Sequence, residues 1–352
     1  MIYPRVLPLF FLFIGLLSCQ QTQETEESAR LTVIFSDDKP SDIKIGTIHP
    51  FDFSDSLLAE AKLDTLDTDT IELVINLPKT TLAYLEIDEN RNQLYLTPGD
   101  DLTISIKTEG EPPTVAYSGT GSAVNNYLAQ INQIREDFVQ TDRRYIWQLG
   151  EEEFMSQLDS LRGAYQAFHQ AFTDTVTLSK HLDTLLSDRN RLMLISQKEN
   201  YDLVHYSDRA DGEINPNEIT REESKYSYYE VPFDTAYLTS SLLAYEYAMA
   251  LSMYLDLHIV WPISNRTLDI EKNPDAIDSL PLVTNQMIRG NSYPDRIREF
   301  LLARNALDFL SYQGITPTVE AVLHDFKIDY PASAYQKSLE AWYNKWLTIA
   351  PG

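Results

Sequence analysis

The chain has 352 residues, 53 acidic against 28 basic side chains, a net charge of −25, 43% apolar residues and one cysteine. That composition is globular, and its acidity excludes nucleic acid and anionic membrane surfaces as electrostatic partners, because both select a basic face. One cysteine leaves no disulfide scaffold, no Cys-rich zinc site and no CxxC redox pair. Neither GxGxxG nor a GxxxxGKS/T loop occurs among the 12 glycines, so no cofactor of the nucleotide kind is expected.

Residues 1–18 are expected to be a signal peptide. Arg5 gives a short positive start, and Val6 to Leu17 form an apolar run of about a dozen residues. A bilayer span takes about 20, so this run is too short to be one. It ends in Leu16-Leu17-Ser18-Cys19, which resembles a bacterial lipobox, with Cys19 as the lipid-bearing residue. Residues 19–29 follow as a polar, acidic tether without periodicity. The expected partner is therefore a membrane, reached through lipid on Cys19, and the expected location is the outer membrane. The tether resembles the surface-export signals of Bacteroidota lipoproteins, and both periplasm-facing and cell-surface orientations stay open.

Residues 30–118 alternate apolar and polar with period 2. The runs Leu31–Phe35, Ile43–Ile48, Ile71–Ile75, Leu82–Ile87, Leu94–Leu96 and Leu102–Ile106 are bounded by Asp, Asn, Pro or Gly. That pattern predicts an antiparallel, sandwich-like β domain. Pro98-Gly99-Asp100 predicts a turn, with Pro presetting one corner and Gly supplying positive φ at the next.

From about residue 121 the period becomes helical, and residues 120–352 are expected to be an all-α domain. Val124, Tyr127, Leu128, Ile131, Ile134 and Phe138 share one face; so do Phe154, Leu158, Leu161, Tyr165, Phe168 and Phe172. A third helix is expected from Leu178 to about Tyr206. Leu242 to Trp261 is almost continuously apolar, but Glu246, Asp256 and His258 interrupt it. A buried central helix suits it better than a membrane span. Gly314 closes one late helix, Thr316-Pro317 opens the next, and Tyr335, Leu339, Trp342 and Trp346 mark a last one. Residues 207–234 and 262–292 read as irregular. The fold class expected is α+β.

Chemistry is harder to find. The six histidines show no HxxxH or HExxH spacing. Asp64, Asp67 and Asp69 lack the Gly and terminal Glu of a calcium loop, and Asp211, Glu213, Asn215, Asn217 and Glu218 offer oxygens without a fixed register. No GxSxG elbow exists. The sequence therefore names no catalytic and no metal-ligating residue. It offers one candidate ligand-contact loop, Tyr226, Tyr228 and Tyr229, where exposed rings would stack on a sugar or peptide.

Two segments carry a family resemblance. Leu94-Tyr95-Leu96-Thr97-Pro98-Gly99-Asp100-Asp101-Leu102-Thr103-Ile104-Ser105-Ile106, and Tyr117-Ser118-Gly119-Thr120-Gly121-Ser122-Ala123-Val124-Asn125-Asn126-Tyr127-Leu128, resemble stretches of Bacteroidota lipoproteins of the thiol-disulfide interchange (TlpA-like) group. In that group a β domain and a helical region precede a thioredoxin-like domain with a CxxC motif. This chain has no CxxC and stops where that domain would begin. The resemblance implies a shortened relative or an early end to the reading frame, and no redox residue carries over. The expected function is a non-enzymatic envelope lipoprotein, an accessory or binding module for an envelope protein or peptide client. The alternative is a surface glycan- or nutrient-binding lipoprotein.

Overall fold

A computed structural model of the chain describes residues 28–36, 40–63, 69–88, 90–108, 113–141, 144–210 and 227–349. Eight strands come first: β1 (Ser28–Phe35), β2 (Asp42–Ile48), β3 (Asp55–Lys62), β4 (Thr70–Asn76), β5 (Thr81–Ile87), β6 (Asn90–Leu96), β7 (Asp101–Lys107) and β8 (Thr114–Gly119). They form two four-stranded sheets, β4-β1-β7-β8 and β3-β2-β5-β6. Alternate side chains of both sheets close on one core: Leu31 and Val33 of β1, Ile43 and Ile45 of β2, Leu85 and Ile87 of β5, Leu102 and Ile104 of β7. Period 2 in the sequence is what places them there.

The strictly antiparallel expectation needs one correction. β1 and β7 pair in parallel, while the other pairings in the two sheets are antiparallel. The chain leaves β6 in one sheet and turns at Pro98-Gly99 into the other. There Arg30 N donates to Asp100 O and Gly99 N to Ser28 O, so β7 enters alongside β1 in the same direction. The turn itself is as expected, with Gly99 at φ 89° and Asp100 N donating to Thr97 O at 3.0 Å. Two strands were not among the expected runs. β3 reads Asp-Ser-Leu-Leu-Ala-Glu-Ala-Lys, residues that favour helices in isolation, and it is a strand because β2 pairs with it. β8 is short and ends at Gly119.

The passage from sheet to helix joins the two segments that carry the family resemblance. Gly119 and Gly121 sit at φ +88° and +87°, and a Cβ on Gly121 would lie 2.7 Å from Asp100 Oδ2. Only glycine meets both conditions. Asp100 also accepts from Thr97 N at 2.7 Å. Just beyond, Asn125 and Asn126 act as side-chain staples on the two sheets. Asn125 accepts from Tyr95 N at 2.7 Å and donates to Tyr95 O at 2.9 Å; Asn126 does the same to Tyr117 at 3.0 and 2.8 Å. Each amide thus completes an outer-strand backbone position, on β6 and on β8.

The helices are α1 (Ser122–Val139), α2 (Glu151–Thr175), α3 (Lys180–Ala210), α4 (Ala244–Leu255), α5 (Leu280–Gly290), α6 (Asp295–Gln313), α7 (Pro317–Asp329) and α8 (Gln336–Ile349). The fold class is α+β. The stretch 262–292, expected to be irregular, contains α5; its buried face, Leu280, Thr284 and Ile288, includes a polar residue that weakens the apolar pattern, and Pro281 falls in the tolerated first turn. α4 is buried almost all round, through Tyr247, Ala248, Ala250, Leu251 and Leu255. It runs on into π turns at Asp256–Val260 and Ile263–Thr267, on either side of Pro262, whose missing N–H interrupts the α ladder. Among the described residues no helix is long and apolar enough to cross a membrane. At the other end, Thr316 Oγ1 accepts from Val319 N at 3.2 Å and caps α7, with Pro317 at its first position.

Candidate functional site

The β2–β3 loop, residues 49–54, is the wedge that joins the β and α modules. Phe51 is 1% exposed and lies in the helical core, its ring 6.0 Å from Phe300 and 4.5 Å from Tyr335. Arg304 of α6 donates to Phe51 O at 2.9 Å and stacks its guanidinium over Phe53 at 4.9 Å. Phe53 also meets Tyr245 of α4 edge-on at 5.8 Å, and it holds φ 54°, a left-handed conformation strained for an aromatic residue. Asp52 organises the loop from inside. Burial works to raise its pKa, but hydrogen bonds from Ser54 and Ser338, with His49 beside it, hold it below the usual carboxylate range. His49, Asp52 and Ser54 resemble a relay in composition only, since the carboxylate sits at the centre and receives both bonds.

A second contact is polar and centred on a fully buried arginine. Arg189 of α3 is 0% exposed and pairs with Glu246 of α4 at 3.2 Å; its Nη2 also donates to Gln93 of β6. Gln93 in turn donates to Glu246 at 3.2 Å and accepts from Asn132 of α1 at 3.3 Å. Burial pushes the Arg189 guanidinium down and Glu246 pulls it back up. Beside it, Tyr127 OH meets His169 Nδ1 at 3.0 Å and receives Asn190 Nδ2 at 2.6 Å; His169 Nε2 reaches Asp183 at 3.0 Å. Burial pushes the Tyr127 phenol up to about 12. These groups lock α1, α2, α3 and α4 to β6, and their geometry is that of a structural network.

Near the wedge, Asp256 on the first π turn is pushed up to about 6, by burial first and then by the negative charge of Asp308. Asp308 is itself raised by burial and held by Arg304, 2.6 Å away. Two carboxyl groups with unequal surroundings are the raw material of acid–base chemistry. They also tune the junction, because Arg304 is shared between Asp308 and the wedge.

A groove of about 430 Å³ lies between α7 and α8. Leu323, Phe326 and Leu339 give it an apolar floor, and His324, Gln336 and Asn344 stand at its rim. Lys327 pairs with Glu340 at 3.3 Å and Tyr343 donates to Glu320 at 2.8 Å, so the two helices are tied across it. α8 is fixed near its start by Phe51 on Tyr335, and near its end by Trp346, whose ring lies 3.3 Å from a Cβ built on Gly314. The groove is thus placed by the wedge. A polar hollow of about 660 Å³ between α6 and α7 is charge-matched within itself, Arg289 forking to Asp325 and Asp329.

The residues singled out from sequence are dispersed. Cys19 and Tyr226 lie outside the described residues, as do Asp64, Asp67 and the stretch 211–218. The expectation of exposed tyrosines is corrected at Tyr229, which is 4% exposed and donates to Asp159 at 2.6 Å. Tyr228 is half-buried between the guanidinium groups of Arg162 and Arg191, at 5.2 and 5.5 Å. Neither presents a free stacking face, because the helical module recruits both as its own packing. Among the described residues, no group of three His, Cys, Asp or Glu is arranged to hold a metal. The sequence reading missed the wedge, although Phe51 and Phe53 flanking an Asp in a strand-to-strand turn are its visible sign. No family model, no curated protein and no solved structure matches the chain.

Two outcomes are expected. Glu246→Leu strands a buried guanidinium and lowers stability by about 3–5 kcal/mol, whereas the Arg189→Met/Glu246→Leu double variant recovers most of that loss in urea titrations. Asp256 has a folded-state pKa above its unfolded value, so between about pH 4 and 6 the folded state holds a proton the unfolded chain has released. Stability at this group therefore falls as pH rises, and Asp256→Asn should raise the urea midpoint near neutral pH and leave it unchanged near pH 4.

Proposed function

We propose that the chain is a cell-envelope lipoprotein, anchored by lipid on Cys19, that binds a peptide segment of an envelope client without catalysing a reaction. In this reading it is an accessory module similar to the front part of the thiol-disulfide interchange lipoproteins. The observation that carries it is the groove between α7 and α8. Its apolar floor and polar rim suit a peptide with two or three apolar anchors, the arrangement by which helical grooves take amphipathic segments. The contacts Lys327–Glu340 and Tyr343–Glu320 span the groove at its exposed rim, where a peptide's polar groups would meet them. The glycan-binding alternative leans on exposed tyrosines, and Tyr229 is buried.

Fluorescently labelled amphipathic peptides, titrated by polarisation, test the groove. Leu323→Glu, a half-buried floor position, is expected to weaken binding by tenfold or more, about 1.4 kcal/mol. Equal binding by the wild type and Leu323→Glu, or no peptide binding at all, would remove the reading. For the anchor, metabolic labelling with a radioactive fatty acid should mark the wild type and leave Cys19→Ala unlabelled.

A further inference from the structure

α7 and α8 form an antiparallel hairpin. Gln336, at the start of α8, donates to Tyr330 O just past the end of α7, at 2.6 Å. Two turns further along α8, Tyr343 donates to Glu320 in the first turn of α7, at 2.8 Å. Each helix lines the groove at i, i+3, i+4 and i+7, from Glu320 to Lys327 on α7 and from Gln336 to Tyr343 on α8. That spacing is one helical face over two turns, roughly 10 Å long.

Such walls select the form of what lies between them. The backbone groups of α7 and α8 are taken up within their own helices, so the groove offers no ladder to an extended chain. The N–H and C=O groups of that chain would lose water without replacement. A helix satisfies its own backbone and needs only side-chain contact. Over the same length an extended strand places about three residues, alternate ones pointing away. A helix lays anchors at i, i+3 or i+4, and i+7 into the seam.

Charge sets the direction. Towards one end of the groove Lys327 and Glu340 neutralise each other at 3.3 Å. At the other, Glu320 receives the neutral Tyr343 hydroxyl, and among the described lining residues its carboxylate is the charge left without a counter-charge. We propose that the groove takes an amphipathic helix of a client protein, completing a three-helix bundle with α7 and α8. The guest runs antiparallel to α7 and sets a Lys or Arg near its C-terminal end against Glu320. A basic residue in its last turns also suits the guest's own dipole, which fixes this direction over the reverse. The proposal rests on the reading of the groove as a peptide site. A second copy of the chain is a poor occupant, because two bodies each carrying −25 repel.

The probes are fluorescein-labelled Ala/Leu helices of about 15 residues, capped at both ends, with leucines at i, i+4 and i+7. One carries a single Lys near its C-terminus, one the same Lys near its N-terminus, and one a Glu near its C-terminus. Polarisation on the full chain in detergent at low salt should rank the C-terminal Lys first. Its margin over the N-terminal Lys, which has the same net charge, should be about threefold, within the range of an exposed ion pair. Glu320→Gln keeps an acceptor for Tyr343 and should remove that preference; Glu320→Lys should turn it towards the Glu peptide. A proline at the centre of the peptide should abolish binding. Circular dichroism checks that each variant folds. Equal binding of the two Lys peptides, a preference unmoved by Glu320→Gln, or undiminished binding of the proline version would overturn the proposal. If Leu323→Glu still weakened binding in those cases, the groove would remain a peptide site. Binding indifferent to Leu323→Glu, or none at all, would remove both. A dimer in sedimentation that Leu323→Glu dissociates would give the groove to a second copy and overturn the proposal.

Discussion

The wedge at Phe51 is the constraint on which the rest of the structure depends. A β sandwich and a helical bundle each bury their own core, joined at β6 and β8 by the polar contacts of Gln93, Asn125 and Asn126. The β2–β3 loop goes further by placing a β-module side chain inside the α-module core, between Phe300 and Tyr335. A fully buried aromatic ring contributes on the order of 3–5 kcal/mol, which is comparable with the margin by which a domain is folded at all. The strained φ of Phe53 is then intelligible: the loop tolerates it because Arg304 and Tyr245 hold the ring in place.

From the wedge, consequences run in two directions. Towards β6, the buried Arg189–Glu246 pair carries a desolvation cost that its hydrogen bonds only partly offset, and such pairs add register more than stability. Gln93 reads that register from the β side. Towards the C-terminal helices, Tyr335 and Ser338 seat the start of α8, and α8 is one wall of the groove. A peptide in the groove therefore contacts helices whose position is set by the β module. The lipid proposed on Cys19 would be attached to that same β module, so membrane, sandwich and groove would form one ordered series.

Much of this was legible in the residues. Period 2 located six strands, the Pro98-Gly99 turn included its positive φ, and Thr316-Pro317 marked a helix start to the residue. The glycines and asparagines of the β8–α1 link were visible as a pattern; their reason, a close approach to Asp100 and a backbone staple on Tyr95 and Tyr117, needed the fold. β3 was not legible, because a sheet edge made of Ala, Glu and Lys takes its strand from its neighbour. The parallel β1–β7 pair was hidden for a similar reason: direction is a property of the crossover, and period 2 does not encode it. The tyrosines failed instructively. A polar neighbourhood in sequence suggested exposure at Tyr229, but Asp159, 70 positions earlier, accepts its hydroxyl in the interior. The groove was invisible, since its floor residues are ordinary helical-core positions on two separate helices.

The central claim is that the two modules stand or fall together through Phe51. All four tryptophans, Trp147, Trp261, Trp342 and Trp346, lie in the helical module, so their fluorescence reports that module alone. Amide hydrogen exchange at β1 and β7 reports the sandwich. The most direct measurement follows both signals through urea unfolding of the wild type and of Phe51→Ala. The account predicts one coincident transition in the wild type and, in Phe51→Ala, two separated ones, with the helical module losing about 3–5 kcal/mol. Separate transitions in the wild type, or coincident and unshifted ones in Phe51→Ala, would contradict it.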